Sequence, residues 1–417
     1  MAVEIRNESP MPLVWDRDEL VSGEWTDPWY PSRSGTIAPG ATAEWRAEGD
    51  LFVAPTSGTE GRVWYNIGGD RGRQLYVHFN SPLIESQYGN TFHVWAPTGF
   101  AAAYSGGQGH HARLGIRFRE SSRHQVRGFT PSLNGFQFRN SWNPSLPAMT
   151  VGYLWNRLLD ELPQEAAEPL GIARVDDGWL PITHASAGLC GGMVFAVMDY
   201  FAAGKLPPVA TTSPASEGDP LFRFIRDRLL DSFNIGGSGH RWLGYSSPHY
   251  PNGDEGFIQV AGLARGRSWV TYRDEWPRIR DDIDYGKLSP IGLIQTDSLD
   301  IGNNHQVLAY AYKQDGQTVQ LWVYDPNHPG RDDLILQFDI TDTTGEVHVN
   351  RIGYPGSQPR IFCIIRTDGY NPHAPPDGRQ LSVRQKMERV TGLRHGRLPG
   401  DIGLPRPASL RQWLTSA

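Results

Sequence analysis

A chain of 417 residues, 39% hydrophobic and 20% charged, has the composition of a globular protein with room for two or three cores. A formal charge of -6 lacks the basic excess of nucleic-acid binding, and two cysteines are too few for a disulfide scaffold. Forty-seven Gly and 32 Pro beside 14 Trp, 16 Tyr and 16 Phe predict β-structure joined by many turns.

The opening MAVEIRNESPMPLVW places Glu4, Arg6 and Glu8 where a signal peptide needs an apolar run. No stretch approaches the ~18 apolar residues of a membrane-spanning helix. The expectation is a soluble protein, cytoplasmic or secreted without a classical signal peptide.

Residues 1–118 read as short strands: VEIRNES, TAEWRAEG, GRVWYNIG, QLYVHFN and NTFHVWA alternate or run apolar between APG, SGTEG, GGD and GN turns. Many strands without a helical window predict an antiparallel β-sandwich. Residues 119–148 have no periodicity and read as a linker docked by Phe129, Phe136, Phe138 and Trp142. From 149 the pattern turns helical. TVGYLWNRLLDELPQE puts Leu154, Leu158, Leu159 and Leu162 on one face, and LCGGMVFAVMDYFAAG and PLFRFIRDRLLDSF follow. Four or five strands are expected next, from PIGLIQT, HQVLAYAYK, TVQLWVYD, LILQFDI and PRIFCIIRT. Helices before strands predict an α+β domain over 149–366. A Pro- and Arg-rich tail, 367–417, is expected to wrap the surface or fray.

Within the second domain, GLCGGMVF sets Cys190 at the start of an apolar helix. There, unpaired backbone N–H groups and the helix dipole favour a thiolate. Gly191 and Gly192, lacking side chains, would let a substrate carbonyl approach. His305 opens the strand HQVLAYAYK, and the next strand ends in YDPNHPG, 325 − 305 = 20 residues later. A hairpin of that length brings Asp325 or Asn327 beside the imidazole, able to fix its tautomer. Cys363, inside the apolar run PRIFCIIRT, reads as packing. His110 and His111 are adjacent and no CxxC is present, so neither metal nor cofactor is expected.

The order Cys, His, Asp/Asn, with G-x-C-G-x-x-x-F at the cysteine, resembles the papain-like cysteine peptidases. HQVLAY followed by VYDP is similar to the histidine and acid strands of the bacterial double-glycine-leader peptidase group. The resemblance covers roughly 149–366. It implies attack by Cys190 on a protein or peptide substrate, proton transfer by His305, and orientation by Asp325, with Asn327 as the alternative. It also places an amide donor six residues before the cysteine, where this chain has His184. His184 can donate to an oxyanion, or the departure marks lost activity.

Two further stretches, TSGTEGRVWYNI and HFNSPLIESQYGNTFHVWA, resemble the aegerolysin-like sandwiches, which implies recognition of membrane lipids. Trp25, Trp29, Tyr30 and Trp45 lie in or beside Pro/Gly-rich loops, where exposed aromatics suit a bilayer or a glycan. The combined expectation is a cysteine hydrolase targeted by a surface-binding sandwich. The alternative is a lipid- or glycan-binding toxin or effector whose papain-like domain is inactive.

Overall fold

The computed structural model describes residues 1–49, 58–82, 90–109, 111–143, 146, 149–150, 181–183, 189–234, 240–254, 265–298, 303–382, 385, 386 and 389. Alternation in the N-terminal runs produces ten strands: β1 (Ala2–Asn7), β2 (Leu13–Ser22), β3 (Glu24–Trp25), β4 (Thr36–Ile37), β5 (Thr42–Glu48), β6 (Thr59–Ile67), β7 (Asp70–Ser81), β8 (Thr91–Trp95), β9 (Phe100–Gly106) and β10 (Arg113–Glu120). They form two five-stranded sheets, ordered β3-β5-β1-β10-β9 and β4-β2-β6-β7-β8. Period-two alternation assigns the faces. Val3, Ile5, Val63, Tyr65, Leu75, Val77, Leu114 and Ile116 fill one shared core between the sheets.

One pairing departs from the antiparallel expectation. β1 inserts between β5 and β10, and Ala2 through Asn7 run parallel to Arg113 through Phe118. The sandwich's first and last strands are thus neighbours, which ties its two ends together. At the end of β1 the buried Asn7 is fully employed. Its amide donates to the Met11 and Ile37 carbonyls, and its oxygen accepts from Ser9.

After the sandwich come β11 (Arg123–Gln125), α2 (Pro131–Asn134), β12 (Met149–Thr150) and β13 (Pro181–Thr183), α1 being the single turn Pro31–Ser34. Helices follow: α3 (Cys190–Ala202), then α4 (Pro220–Phe233), α5 (His240–Ser246), and α6 (Arg267–Trp269), which runs through a π-helical segment (Val270–Glu275) into α7 (Trp276–Asp284). The short β14 (Lys205–Leu206) lies between α3 and α4. Strands follow: β15 (Ser289–Ile294), β16 (His305–Asp315), β17 (Thr318–Tyr324), β18 (Ile335–Asp339), β19 (Asn350–Ile352), β20 (Cys363–Arg366) and β21 (Arg379–Gln380). The predicted helix carrying Leu154, Leu158, Leu159 and Leu162 lies outside the described residues.

The second sheet system runs β19-β18-β17-β16-β15-β20, entirely antiparallel, with β11 continuing the line of β15 along the far half of β16. Residues 305–312 of β16 are all buried, so both faces of this strand are covered. Val126, Phe129, Phe136, Phe138, Trp142 and Leu146 share one core with α3, α4, α7 and this sheet. The 119–148 segment therefore contributes a strand and six core side chains to the second body. Tyr370, in the C-terminal tail, donates to Asp199 of α3 at 2.9 Å, and β21 pairs with β14.

Sandwich and second body meet at β9, β10 and α7. Asp284 receives Tyr312 Oη–H (2.7 Å), Arg119 (3.3 Å) and His124 (3.1 Å), while Arg280 donates to the Tyr104 carbonyl. Among the described residues, no helix is long and apolar enough to cross a membrane.

Candidate active site

α3 begins at Cys190 and buries every residue from Gly191 to Tyr200. Its two glycines serve packing rather than substrate access. A Cβ on Gly192 would stand 1.9 Å from the Ile225 carbonyl oxygen of α4, and one on Gly191 would stand 2.2 Å from Ser232 Oγ. The GG pair lets α3 and α4 approach closely, which corrects the expectation drawn from sequence. Cys190 itself remains half-buried, the first residue of the helix, with Leu189 as an N-cap that offers no side-chain acceptor.

That missing cap is met from elsewhere. Leu189 N–H donates to Asn140 Oδ1 (2.6 Å), which also accepts from Trp142 Nε1 (2.9 Å). Asn140 Nδ2 donates in turn to Asn327 Oδ1 (3.1 Å), and Asn140 N–H donates to the Pro326 carbonyl (2.9 Å). One residue upstream of the domain thus clamps the start of α3 to the turn after β17. Sequence reading missed it. A polar residue amid docked aromatics, in FRNSWNP, was the available signal.

His305 opens β16, paired in register with Leu293 of β15. Its neighbour Asn304 anchors the strand mouth, accepting from Gln295 N–H (2.8 Å) and donating to Ser246 Oγ (2.8 Å). The β16–β17 hairpin then delivers Asp325, directly after β17, to the imidazole. His305 Nε2 lies 2.8 Å from Asp325 Oδ1, and the same oxygen accepts Asn327 N–H at 2.8 Å, so the turn holds the carboxylate in place. Cys190 is the ring's other polar neighbour, close enough to favour its charged form.

Both members of the pair are buried, His305 at 7% and Asp325 at 2% exposure. Burial opposes charge on His305, but the Asp325 carboxylate and the cysteine outweigh it and raise its pKa from 6.5 to about 10. Burial likewise opposes charge on Asp325, and the His305 imidazole more than compensates, holding the carboxyl below its usual range. The electrostatics favour an imidazolium–carboxylate pair beside Cys190.

Cys190, His305 and Asp325 are therefore brought together. Asn327 is not the imidazole's partner, since its side chain serves Asn140. His184 lies outside the described residues. Cys363 is fully buried between Thr271 and Arg267, and burial pushes its thiol up to about 12. Among the described residues, no three metal-ligating side chains converge.

The four sandwich aromatics divide. Trp45 is wholly buried in the core and packs edge-on against Trp25 at 5.5 Å, so neither ring is a free loop tip. Trp29 is 39% exposed and lies under the Arg46 guanidinium at 4.4 Å, while Tyr30 is half-buried beneath Arg33. Pro/Gly-rich flanks marked turns correctly. β5, not the turns, carries Trp45 inward.

No protein-family model matches the chain, and no curated protein matches it. Among solved structures, the RahU protein in complex with a TRIS molecule is similar at 16% identity and TM-score 0.25, over 29% of this chain and 94% of that one. The lipid binding protein Nakanori is similar at 11% identity and TM-score 0.23, over 28% of this chain and 68% of that one. Likenesses this weak, over less than a third of the chain, carry no argument for function.

Proposed function

We propose that the chain is a papain-like cysteine hydrolase, most simply a peptidase, with Cys190 as nucleophile, His305 as proton carrier and Asp325 as the orienting carboxylate. One observation carries this reading: Cys190 at a helix start lies beside His305, which opens a strand more than a hundred residues later and is held by Asp325 from the end of the next strand. Structural burial alone explains Cys363, but a half-buried cysteine against an imidazolium–carboxylate pair answers to chemistry.

In this reading the Cys190 sulfur, having given its proton to His305, attacks the substrate carbonyl carbon. The Cys190 backbone N–H, one of the unpaired amides of the first helical turn, faces the developing oxyanion, with His184 as the expected second donor. His305 then gives its proton to the leaving amine, and a thioester remains. Water attacks the thioester as His305 takes its proton, and the acid product leaves with the thiol restored. The sandwich adds none of these groups and reads as the module that holds the hydrolase to a surface.

The test is iodoacetamide labelling near neutral pH, followed by intact mass. Wild type should label once and rapidly at Cys190, Cys190→Ser should not label on that timescale, and His305→Ala should label slowly. Cleavage of a mixed peptide library should vanish in both variants. Labelling of Cys190 no faster than a free thiol such as glutathione would remove the proposal.

A further inference from the structure

The outward face of the second sandwich sheet carries a row of aromatic rings that the core does not use. Arg17 pairs with Trp64, Trp64 with Tyr76, and Tyr76 with Trp95, across four adjacent strands. Their neighbours Val63, Tyr65, Leu75, Val77 and Val94 point into the core, so alternation turns all three rings outward. Trp64 and Tyr76 lie 5.2 Å apart, tilted 39°, and Trp95 is 41% exposed. At the end of the row the Arg17 guanidinium lies 4.2 Å over Trp64 and covers one face of that ring.

The strip is bounded on one side by the second body. With Gln74 it floors a cleft of about 440 Å³ whose other side is formed by Gln317 and Thr341, which belong to the second body. Gln74 is held in place, its amide donating to Asp16 (3.1 Å) and Asn66 (2.8 Å). Cross-strand stabilisation accounts for the Trp64–Tyr76 contact. It accounts neither for an exposed tryptophan extending the row nor for amides and a hydroxyl around it.

We propose that this cleft binds an extended chain of β-linked hexopyranoses. Sugars whose hydroxyls are all equatorial present two apolar C–H faces, which stack on aromatic rings, while their hydroxyl rim meets amides and hydroxyls. Rings set on neighbouring strands, ~4.8 Å apart, follow one another at about the length of a pyranose. Gln317 and Thr341 beside the rings offer hydrogen-bonding partners to a hydroxyl rim, which the apolar body of a lipid does not use. A quaternary ammonium group asks for a cage, and these rings lie in a row. The site stands apart from the thiol chemistry, so it survives or fails independently of the hydrolase reading.

The test titrates the full-length protein with cellohexaose, chitohexaose and laminarihexaose, read by tryptophan fluorescence and calorimetry, with phosphatidylcholine–sphingomyelin vesicle flotation in parallel. At least one hexasaccharide should saturate, Trp64→Ala and Trp95→Ala should each weaken it roughly tenfold, and Trp95→Phe should retain most affinity. Gln317→Ala, on the opposite wall, should weaken binding in the same direction without touching the sandwich fold, and Cys190→Ser should bind as wild type does. The proposal is overturned if none of the three saccharides saturates, if the tryptophan variants bind unchanged, or if vesicles rather than sugars depend on Trp64 and Trp95.

Discussion

Replacing Asp325 by Asn tests the charge pair with little change of shape. The amide oxygen can still accept from Asn327 N–H and from His305 Nε2–H, so the contacts seen at 2.8 Å survive and only the charge is lost. Without it, the burial that opposes charge on His305 prevails, and the ring becomes neutral at pH 7. A folded-state pKa raised from 6.5 to about 10 contributes stability that is full below 6.5 and lost as pH rises through about 10. At pH 7 three pH steps remain at about 1.4 kcal/mol each, an upper bound of about 4 kcal/mol. The depressed pKa of Asp325 reports the same attraction from the other side and is counted once. Its contribution is present above 3.8 and lost only as pH falls through the lower folded value. Urea unfolding of wild type and Asp325→Asn at several pH values should therefore show the largest gap near pH 4–6.5, narrowing steadily toward pH 10. Iodoacetamide labelling of Cys190 at pH 7 should slow by roughly 10²–10⁴-fold in the variant. A stability gap that stays constant from pH 6 to 9.5 would refute the ion pair.

Asn140→Ala should strand Leu189 N–H and release Asn327, costing about 1–3 kcal/mol in urea unfolding. As a positioning change it should lower kcat with KM nearly constant, and Asn140→Asp, which keeps the acceptor for Leu189, should recover part of the loss; equal effects on kcat and KM would deny the role. The helix glycines give a graded pair. Gly192→Ala drives a Cβ into backbone at 1.9 Å and should destabilise by more than the roughly 1–3 kcal/mol of ordinary overpacking, whereas Gly191→Ala meets movable side chains and should cost less, as thermal melts would report.

How far the sequence carried depended on whether a signal was local. Strand alternation around Val63–Ile67 and Leu75–Phe79, and the helix following Cys190, are properties of consecutive residues, and they appear where their periods place them. The convergence of His305 and Asp325 was legible because a short hairpin leaves strand register little freedom. Between Asp325 and Asn327 the sequence had no means to choose. That choice rests on Asn140, which is 187 residues away and occupies Asn327. Trp45 misled for a similar reason. Its loop-like flanks are visible in sequence, while the inward side of β5 is fixed by pairing with β1. The GG pair suggested access to the nucleophile, and only the approach of α4 reveals it as a packing seam.

The reach of residues 119–148 into the second body makes a prediction about where the chain can be cut. Read as a linker, the segment would be dispensable, and a fragment starting at 149 would fold. Yet Phe129, Phe136, Phe138 and Trp142 are at most 4% exposed within the core that also holds α3 and β16. Four such side chains at roughly 2 kcal/mol each contribute about 8 kcal/mol, within the ~5–15 kcal/mol that stabilises a whole domain. Loss of β11 would add unpaired backbone along β16, opposite Ala311 to Lys313, and loss of Asn140 would strand Leu189 N–H at the start of α3. A fragment of residues 149–417 should therefore be insoluble or lack a cooperative melt, whereas one of residues 119–417 should fold and label at Cys190. Soluble, cooperative folding of the shorter fragment would show that the aromatic segment merely covers a core already complete. If only the longer one folds, the second body begins at the last strand of the sandwich, and the two bodies are joined without slack.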